Sequence, residues 1–284
     1  MHERTVHMIW IQDSRAFSIG EWCSLLSVLK NTEYNLVLHT NLSPGQAAPF
    51  DPYSITHDRF SIEPREFEMV VEGVRARPAN ISDMERIRIL YERGGIYSDM
   101  DIIWLREIDL SGCGPVVTAY ENPSYKTVAN AFIVAPPGWE PFKTLLDDMR
   151  QRFIALRCRN ILDITGDPPV GLSKNHTLLW KLTGDVMKAN GATILGKSHF
   201  YKNGWRRIGR EVSRRGGVLG PRVDPALLGT TADRVSLDGI VGFHYYAGLF
   251  QIHQLLIIPC VRSTIEALVA YGQSFGVGAA NLTA

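Results

Sequence analysis

Two aspartates, Asp99 and Asp101, stand two residues apart in Ile96–Trp104, a run that is otherwise apolar except for Ser98. Taken as one strand, the run sends Asp99, Asp101 and Tyr97 out of the same face, because strand side chains alternate. Two carboxylates placed there repel each other and lose hydration unless a cation sits between them. Their oxygens suit Mg2+ or Mn2+, ions that keep waters and phosphate oxygens as remaining ligands. A D-x-D pair alone is weak, since roughly one arises by accident in a chain of this size. Asp83 and Arg86 strengthen it: they lie three apart on one predicted helix face, and a tight Gly94-Gly95 turn folds that helix end back toward the pair. His244, far downstream in an apolar run, reads equally as a satisfied core histidine or as a further metal or phosphate contact.

The elements that must position these residues follow from periodicity. Val6–Gln12 is apolar with β-branched residues and predicts a buried first strand. Phe17–Leu29 carries Trp22, Leu25, Leu26 and Leu29 at helical spacing, and Tyr34–Thr40 is strand-like again. Strand, helix, strand at these lengths predicts a βαβ start and a sheet with parallel pairs. Ser82 followed by Glu85 has the capping-box spacing, which predicts a helix from Asp83 with Met84, Ile87, Leu90 and Tyr91 as its apolar stripe. Gly94-Gly95 ends that helix, and Arg93 suits the negative end of its dipole. Further strands are expected at Pro115–Tyr120 and Asn130–Ala135, and helices at Glu140–Leu156 and His176–Ala189. No linker divides the chain, so the expectation is one α/β domain over 1–271 and a loose tail over 272–284.

Composition narrows the function classes. The 284 residues are 45% apolar and 21% charged, an ordinary globular mixture and too hydrophobic for a disordered chain. Thirty Lys+Arg against 29 Asp+Glu leaves no global field to recruit nucleic acid. Cys23, Cys113, Cys158 and Cys260 form no C-x-x-C pair, which argues against a zinc knuckle or a dense disulfide framework. The opening residues lack a signal-peptide pattern, and Ile240–Pro259 is too interrupted by His244, Gln251, His253 and Gln254 to span a bilayer. A cytoplasmic location is expected, with at most peripheral contact at the inner membrane surface. That contact would use Lys197–Arg222, which holds eight basic residues and one acid, Glu211. The segment reads either as a solvated loop or as a flap that meets phosphate.

The run Ser82-Asp83-x-x-Arg86-x-x-x-Leu90-Tyr91-x-x-Gly94-Gly95-Ile96-Tyr97-x-Asp99-x-Asp101 resembles the DXD sugar-binding glycosyltransferases of family 32. That group includes the yeast initiating α-mannosyltransferase and bacterial polysaccharide enzymes, and the catalytic domains of the large clostridial glucosylating toxins share the run. His7-Met8-Ile9-Trp10, Asn130-Ala131-Phe132-Ile133 and His244-Tyr245-Tyr246-Ala247-Gly248 resemble flanking segments of the family, although Leu249-Phe250 stands where Ser-Trp is usual. The resemblance implies a single GT-A-type, Rossmann-like domain with a mixed central sheet. It implies metal-dependent, retaining transfer of a hexose from a nucleotide-sugar, a UDP-sugar ahead of a GDP-sugar, to a glycan, glycolipid or small-molecule acceptor. Asp101, Asp99 and His244 would hold Mn2+ or Mg2+; Asp83, Arg86, Tyr97, Asp99 and Asn130 would grip the donor, and Trp10 would stack on its base. Asp83, Arg86, Asp99 and Asp101 are the expected catalytic set. Alternatives are a toxin-like effector that glycosylates a host protein, a lectin-like sugar binder, or an Asp-x-Asp phosphohydrolase. The last fits poorly, because Ile102 follows the motif and Tyr97-Ser98 precede Asp99.

Overall fold

The opening apolar run forms β1 (Thr5–Trp10), followed by α1 (Ile19–Asn31) and β2 (Asn35–Thr40). The computed structural model describes residues 4–13, 16–122, 127–157, 179–217, 219, 235–245, 247, 250 and 252–275. Helix α1 starts two residues later than its apolar spacing suggests, because Ser18 and Glu21 close a capping box there. β1 and β2 pair in parallel from Thr5↔Asn35 to Trp10↔Thr40, and β3 (Phe60–Pro64) extends the sheet in parallel. The small hairpin β4 (Val70–Val71) and β5 (Val74–Arg75) leads into α2 (Pro78–Arg93). There follow β6 (Gly95–Ser98), β7 (Ile102–Trp104), β8 (Val117–Asn122), β9 (Thr127–Ala135), α3 (Glu140–Arg157), α4 (Leu179–Ala189) and β10 (Thr193–Leu195). The chain continues through α5 (Trp205–Arg214), β11 (Gly242–His244), α6 (Ile252–Leu255) and α7 (Pro259–Gln273).

Seven strands form one mixed sheet in the order β10-β8-β9-β6-β1-β2-β3, in which β9 alone runs against its neighbours. Strand alternation divides β1 between two apolar layers. Val6, Met8 and Trp10 pack with α1 and α7, whereas Ile9 and Ile11 pack with α2, α3 and α4. Among the described residues, no helix is long and apolar enough to cross a membrane.

Three sequence expectations are corrected. Helix α2 begins at Pro78 rather than Asp83: proline at the first helical position needs no N–H partner and has a preset φ. Ser82 and Glu85 therefore lie inside the helix, and Glu85 reaches Arg65 (2.8 Å) and Arg88 (2.7 Å) instead of capping. Ile96–Trp104 is two strands, not one. The chain turns at Asp99–Asp101, where Ile102 N–H donates to the Asp99 carbonyl (3.3 Å), and β7 leaves the main sheet to pair with β11. The basic stretch 197–222 contains helix α5 at its middle: Ile208 and Val212 are buried four apart, and buried Glu211 binds Arg214 and Arg215 at 2.7 Å each. Arg222 lies outside the described residues, as do Cys158 and the start of the helix expected at His176. At the end of the chain α7 runs to Gln273 and Gly272 packs against Trp22; residues 276–284, most of the expected tail, lie outside the described set.

Candidate active site

The turn from α2 into β6 builds the site. Gly94 (φ 68°) and Gly95 (φ 96°) both adopt positive φ, and a Cβ on Gly95 would lie 2.8 Å from the Thr5 carbonyl oxygen. Only glycine lets α2 reverse this tightly and pack against β1, β6 and β9. Arg86, 4% exposed, is thereby held over the Tyr97 ring at 4.5 Å. Its guanidinium lies 3.0 Å from Asp83 Oδ1 and 3.0 Å from Asp99 Oδ1, and donates to the Asn130 carbonyl at 2.7 Å. Its Nε donates to the Ser82 carbonyl at 3.1 Å. Tyr97 Oη donates to Asp99 Oδ1 at 2.6 Å, and Asn130 Nδ2 donates to Asp83 Oδ1 at 2.7 Å. The β6–β9 ladder brings Asn130 in, because its last pair, Ser98↔Phe132, is followed by Asp99 N–H donating to the Ala131 carbonyl (2.8 Å).

Asp101 belongs to a second group. The antiparallel pairing of β7 with β11 places His244 opposite Ile102, and His244 Nε2 lies 3.1 Å from Asp101 Oδ1. Ala247 N–H donates to Asp101 Oδ2 (2.8 Å), and Tyr245 N–H donates to the Asp101 carbonyl (3.0 Å). The two groups meet at Asp99: one ligand atom from each of Asp99, Asp101 and His244 falls within a 4.8 Å cluster. Two carboxylates and an imidazole at that separation fit a divalent cation such as Mn2+ or Mg2+. Of the closing segment, residues 244–250, Tyr246, Gly248 and Leu249 lie outside the described residues.

Protonation equilibria show the strain of this charge. Burial pushes the Asp83 carboxyl up to about 6, although Arg86 and Asn130 oppose the shift. Burial likewise raises Asp99 against the pull of Arg86, and the charge on Asp101 adds to the rise. Burial raises the Tyr97 phenol well above its usual value. Burial alone would lower His244, but Asp101, with Asp99 and Glu121 behind it, outweighs that effect and raises it. Among the described residues, Arg86 and His244 face three aspartates here, an arrangement that a cation would relieve.

Of the residues expected from sequence, Asp83, Arg86, Tyr97, Asp99, Asn130, Asp101 and His244 converge. They do so although Asp99 and Asp101 sit in a turn rather than along one strand face. Trp10 stands apart. It ends β1, is 4% exposed, donates from Nε1 to Gln12 Oε1 (3.0 Å) and meets Phe17 edge-on at 5.2 Å. It does share the sheet end from which β6 delivers Asp99, since β1 and β6 run parallel, and ligands of open α/β sheets bind outside carboxyl strand ends. Glu121 and Tyr201 also enter this region, one through its field on His244 and one through ring contact with it. No spacing in the sequence marks either.

Residues 23–119, about a third of the chain, match the protein family described as "Glycosyltransferase sugar-binding region containing DXD motif". The matched span holds Asp83, Arg86, Tyr97, Asp99 and Asp101, but not Trp10, Asn130 or His244. No curated protein sequence matches the chain. Among solved structures, the chain is similar to the apo-form glycosyltransferase GlyE of Streptococcus pneumoniae TIGR4, with a TM-score of 0.51 and 9% identity. That likeness covers 96% of this chain and 64% of GlyE. It is also similar to the PaToxG glycosyltransferase, at 17% identity over 66% of this chain and 70% of that one, with a TM-score of 0.46. At such identities the likeness is one of fold: a mixed α/β architecture of GT-A type. The DXD region and the fold that carries it support a glycosyltransferase.

Proposed function

We propose that the protein is a metal-dependent, retaining glycosyltransferase that moves a hexose from a UDP- or GDP-sugar to a glycan, glycolipid or small-molecule acceptor. One observation carries the reading: Asp99 links a sugar-gripping network (Asp83, Arg86, Asn130) to a cation-holding cluster (Asp101, His244). Asp101, Asp99 and His244 would hold Mn2+ or Mg2+, which when bound supplies charge to offset that on the departing nucleotide diphosphate. The Asp83 carboxylate accepts from sugar hydroxyls, and the rigid Arg86 fork donates to sugar or phosphate oxygens. Because Arg86 is already fixed by four partners, it needs no reorganisation when charge develops. Tyr97 keeps Asp99 oriented by its short hydrogen bond. Trp10, at the same sheet end, is the candidate for contact with the base. Retention follows if the leaving phosphate accepts the acceptor's proton on the donor face, so that the protein supplies position and charge rather than a general base.

Thermal-shift titration with UDP, GDP and their sugars, each with and without Mn2+, tests the donor class. A ligand of the folded state raises the midpoint by mass action, and the expected result is a Mn2+-dependent rise with one nucleotide series. No rise with any nucleotide would overturn the reading. Proton NMR of the first-formed product then tests the stereochemistry. A small anomeric coupling from a gluco- or galacto-configured α-donor is expected, and a large one would mean inversion.

A further inference from the structure

Tyr201 lies just before α5 and has no part in the roles above. It is 2% exposed, and its ring centroid lies 5.1 Å from that of His244 at an interplanar angle of 57°. The chain fixes it there from both sides. Tyr201 N–H donates to the Lys197 carbonyl (2.7 Å), and the neighbouring Phe200 carbonyl accepts from His244 N–H (3.4 Å). Phe200 is itself locked in the core, stacked on Phe132 at 4.4 Å and edge-on to Trp104 at 5.7 Å. Phe132 belongs to β9, which carries Asn130, and Trp104 belongs to β7, which follows Asp101. One aromatic pair therefore ties the backbone of His244, the ring of His244 and both strands that frame the site.

We propose that Tyr201 is a positioning residue: its ring holds the His244 imidazole against Asp101 in the orientation that a divalent cation requires. The inference rests on the donor-site reading above. An imidazole ligand is useful only if its ring plane is fixed before the ion arrives, and groups that orient a metal ligand are worth about tenfold or more in affinity. Tyr201 does this by packing its ring against the imidazole.

The test is Mn2+ affinity of the full chain, measured by electron paramagnetic resonance of the free ion, for the parent, Tyr201→Phe, Tyr201→Leu, His244→Ala and the Tyr201→Leu/His244→Ala double variant. Tyr201→Leu should weaken Mn2+ binding about tenfold, whereas Tyr201→Phe, which keeps the ring, should stay close to the parent. In the His244→Ala background Tyr201→Leu should have no further effect, because residues acting through one another are non-additive. A merely structural role would weaken binding equally in both backgrounds and would overturn the proposal. So would a Tyr201→Phe loss as large as that of Tyr201→Leu. If Tyr201→Leu does not fold, ring-to-ring nuclear Overhauser contacts between Tyr201 and His244 in the parent decide the geometry, and their absence overturns it. A parent that binds no Mn2+ fails the donor-site reading itself, and this inference falls with it. A parent that binds while Tyr201→Leu binds equally well fails the inference alone.

Discussion

Two buried polar clusters flank α2, and they handle charge in opposite ways. Beside its C-terminal end, His7 Nδ1 lies 3.0 Å from His39 Nε2, and His39 Nδ1 lies 3.7 Å from Glu63. Arg93 grips Glu63 through both nitrogens, and Arg65 joins Glu63 to Glu85. Acids and bases alternate there. Burial, chiefly, holds His7 down at about 4 and His39 at about 3, so both stay neutral at pH 7. On the other flank, Asp83, Asp99 and Asp101 share Arg86 and His244, and burial lifts the carboxyl groups of Asp83 and Asp99. A cluster that completes its own charge balance stabilises a fold. One left with excess negative charge on its inner wall stabilises a cation or a developing positive centre. Both draw on α2: Glu85 and Arg93 face the histidine side, while Asp83 and Arg86 face the aspartate side.

The largest expected effect breaks the comparison at its sharpest point. Asp101→Asn keeps the side-chain size but removes one of the excess charges, and activity should fall on the order of 10³-fold. Its melting temperature in EDTA should hold or rise, since repulsion with Asp99 is relieved. Full turnover of this variant in Mn2+ would sink the metal assignment. Arg86→Lys should cost on the order of 10²-fold in kcat/KM, because a point charge cannot replace the fork. The structure adds a stability cost of about 2 kcal/mol, since the Arg86 contacts to the Ser82 and Asn130 carbonyls are also lost. Glu63→Gln, on the histidine flank, should lower the melting temperature while leaving kcat/KM near the parent. If Glu63→Gln damages catalysis as much as Arg86→Lys does, the two flanks are not separable.

The aspartate flank was legible in sequence because most of it is local. Asp83 to Asp101 spans one helix, one glycine turn and one short strand, so residue types and spacing survive folding almost unchanged. Its details were less so. Ser82 and Glu85 have a true capping-box spacing, yet Pro78 starts the helix a turn earlier, and only tertiary partners such as Arg65 reveal what Glu85 does. Ile96–Trp104 reads as one strand because apolar residues flank the two aspartates on both sides with no glycine or proline between, and the break is imposed by the pairing of β7 with β11, residues 242–244. Glu121 and Tyr201 were not legible at all. They reach His244 through long-range chain crossings, and neither carries a local signature. His7 and His39 lie 32 residues apart and meet only through the β1–β2 register.

A smaller effect sharpens the comparison through pH, with opposite signs on the two flanks. A histidine whose folded pKa is depressed contributes stability above its unfolded value near 6.5 and loses it as pH falls through the folded value. For His7, a drop from 6.5 to about 4 is worth about 3 kcal/mol at about 1.4 kcal/mol per unit. Asp83 does the reverse: with its folded value raised to about 6, the folded state takes up a proton first, and this group favours folding increasingly as pH falls from about 6 toward 4. His7 and His39 thus pull unfolding free energy down as pH falls from 6.5 toward 4, a decline that Asp83 opposes together with Asp99 and His244, whose folded values are also raised. His39→Gln should flatten that decline, and Asp83→Asn should steepen it. Denaturant titrations at closely spaced pH values measure both slopes, and an unchanged slope in His39→Gln would remove the histidine pair from the account.

The smallest effect probes how the closing segment is held. A Cβ on Gly20, near the start of α1, would lie 2.6 Å from Tyr245 Oη, so alanine there must push Tyr245 aside. Tyr245 is 1% exposed, follows His244 directly, and donates its N–H to the Asp101 carbonyl. Displacing it therefore loosens His244 and the Ala247 N–H from the two carboxylate oxygens of Asp101, without touching either aspartate. Alanine gains at most about 1 kcal/mol of helix propensity over glycine, while overpacking costs about 1–3 kcal/mol, so a net stability loss of about 0–2 kcal/mol is expected. Mn2+ affinity, by contrast, should fall a few-fold, and the acid decline set by His7 and His39 should keep its slope. Gly20→Ala thus separates the flanks from a position that belongs to neither. Unchanged Mn2+ affinity in a variant whose Tyr245 has moved would mean that the closing segment frames the aspartate cluster without tuning it.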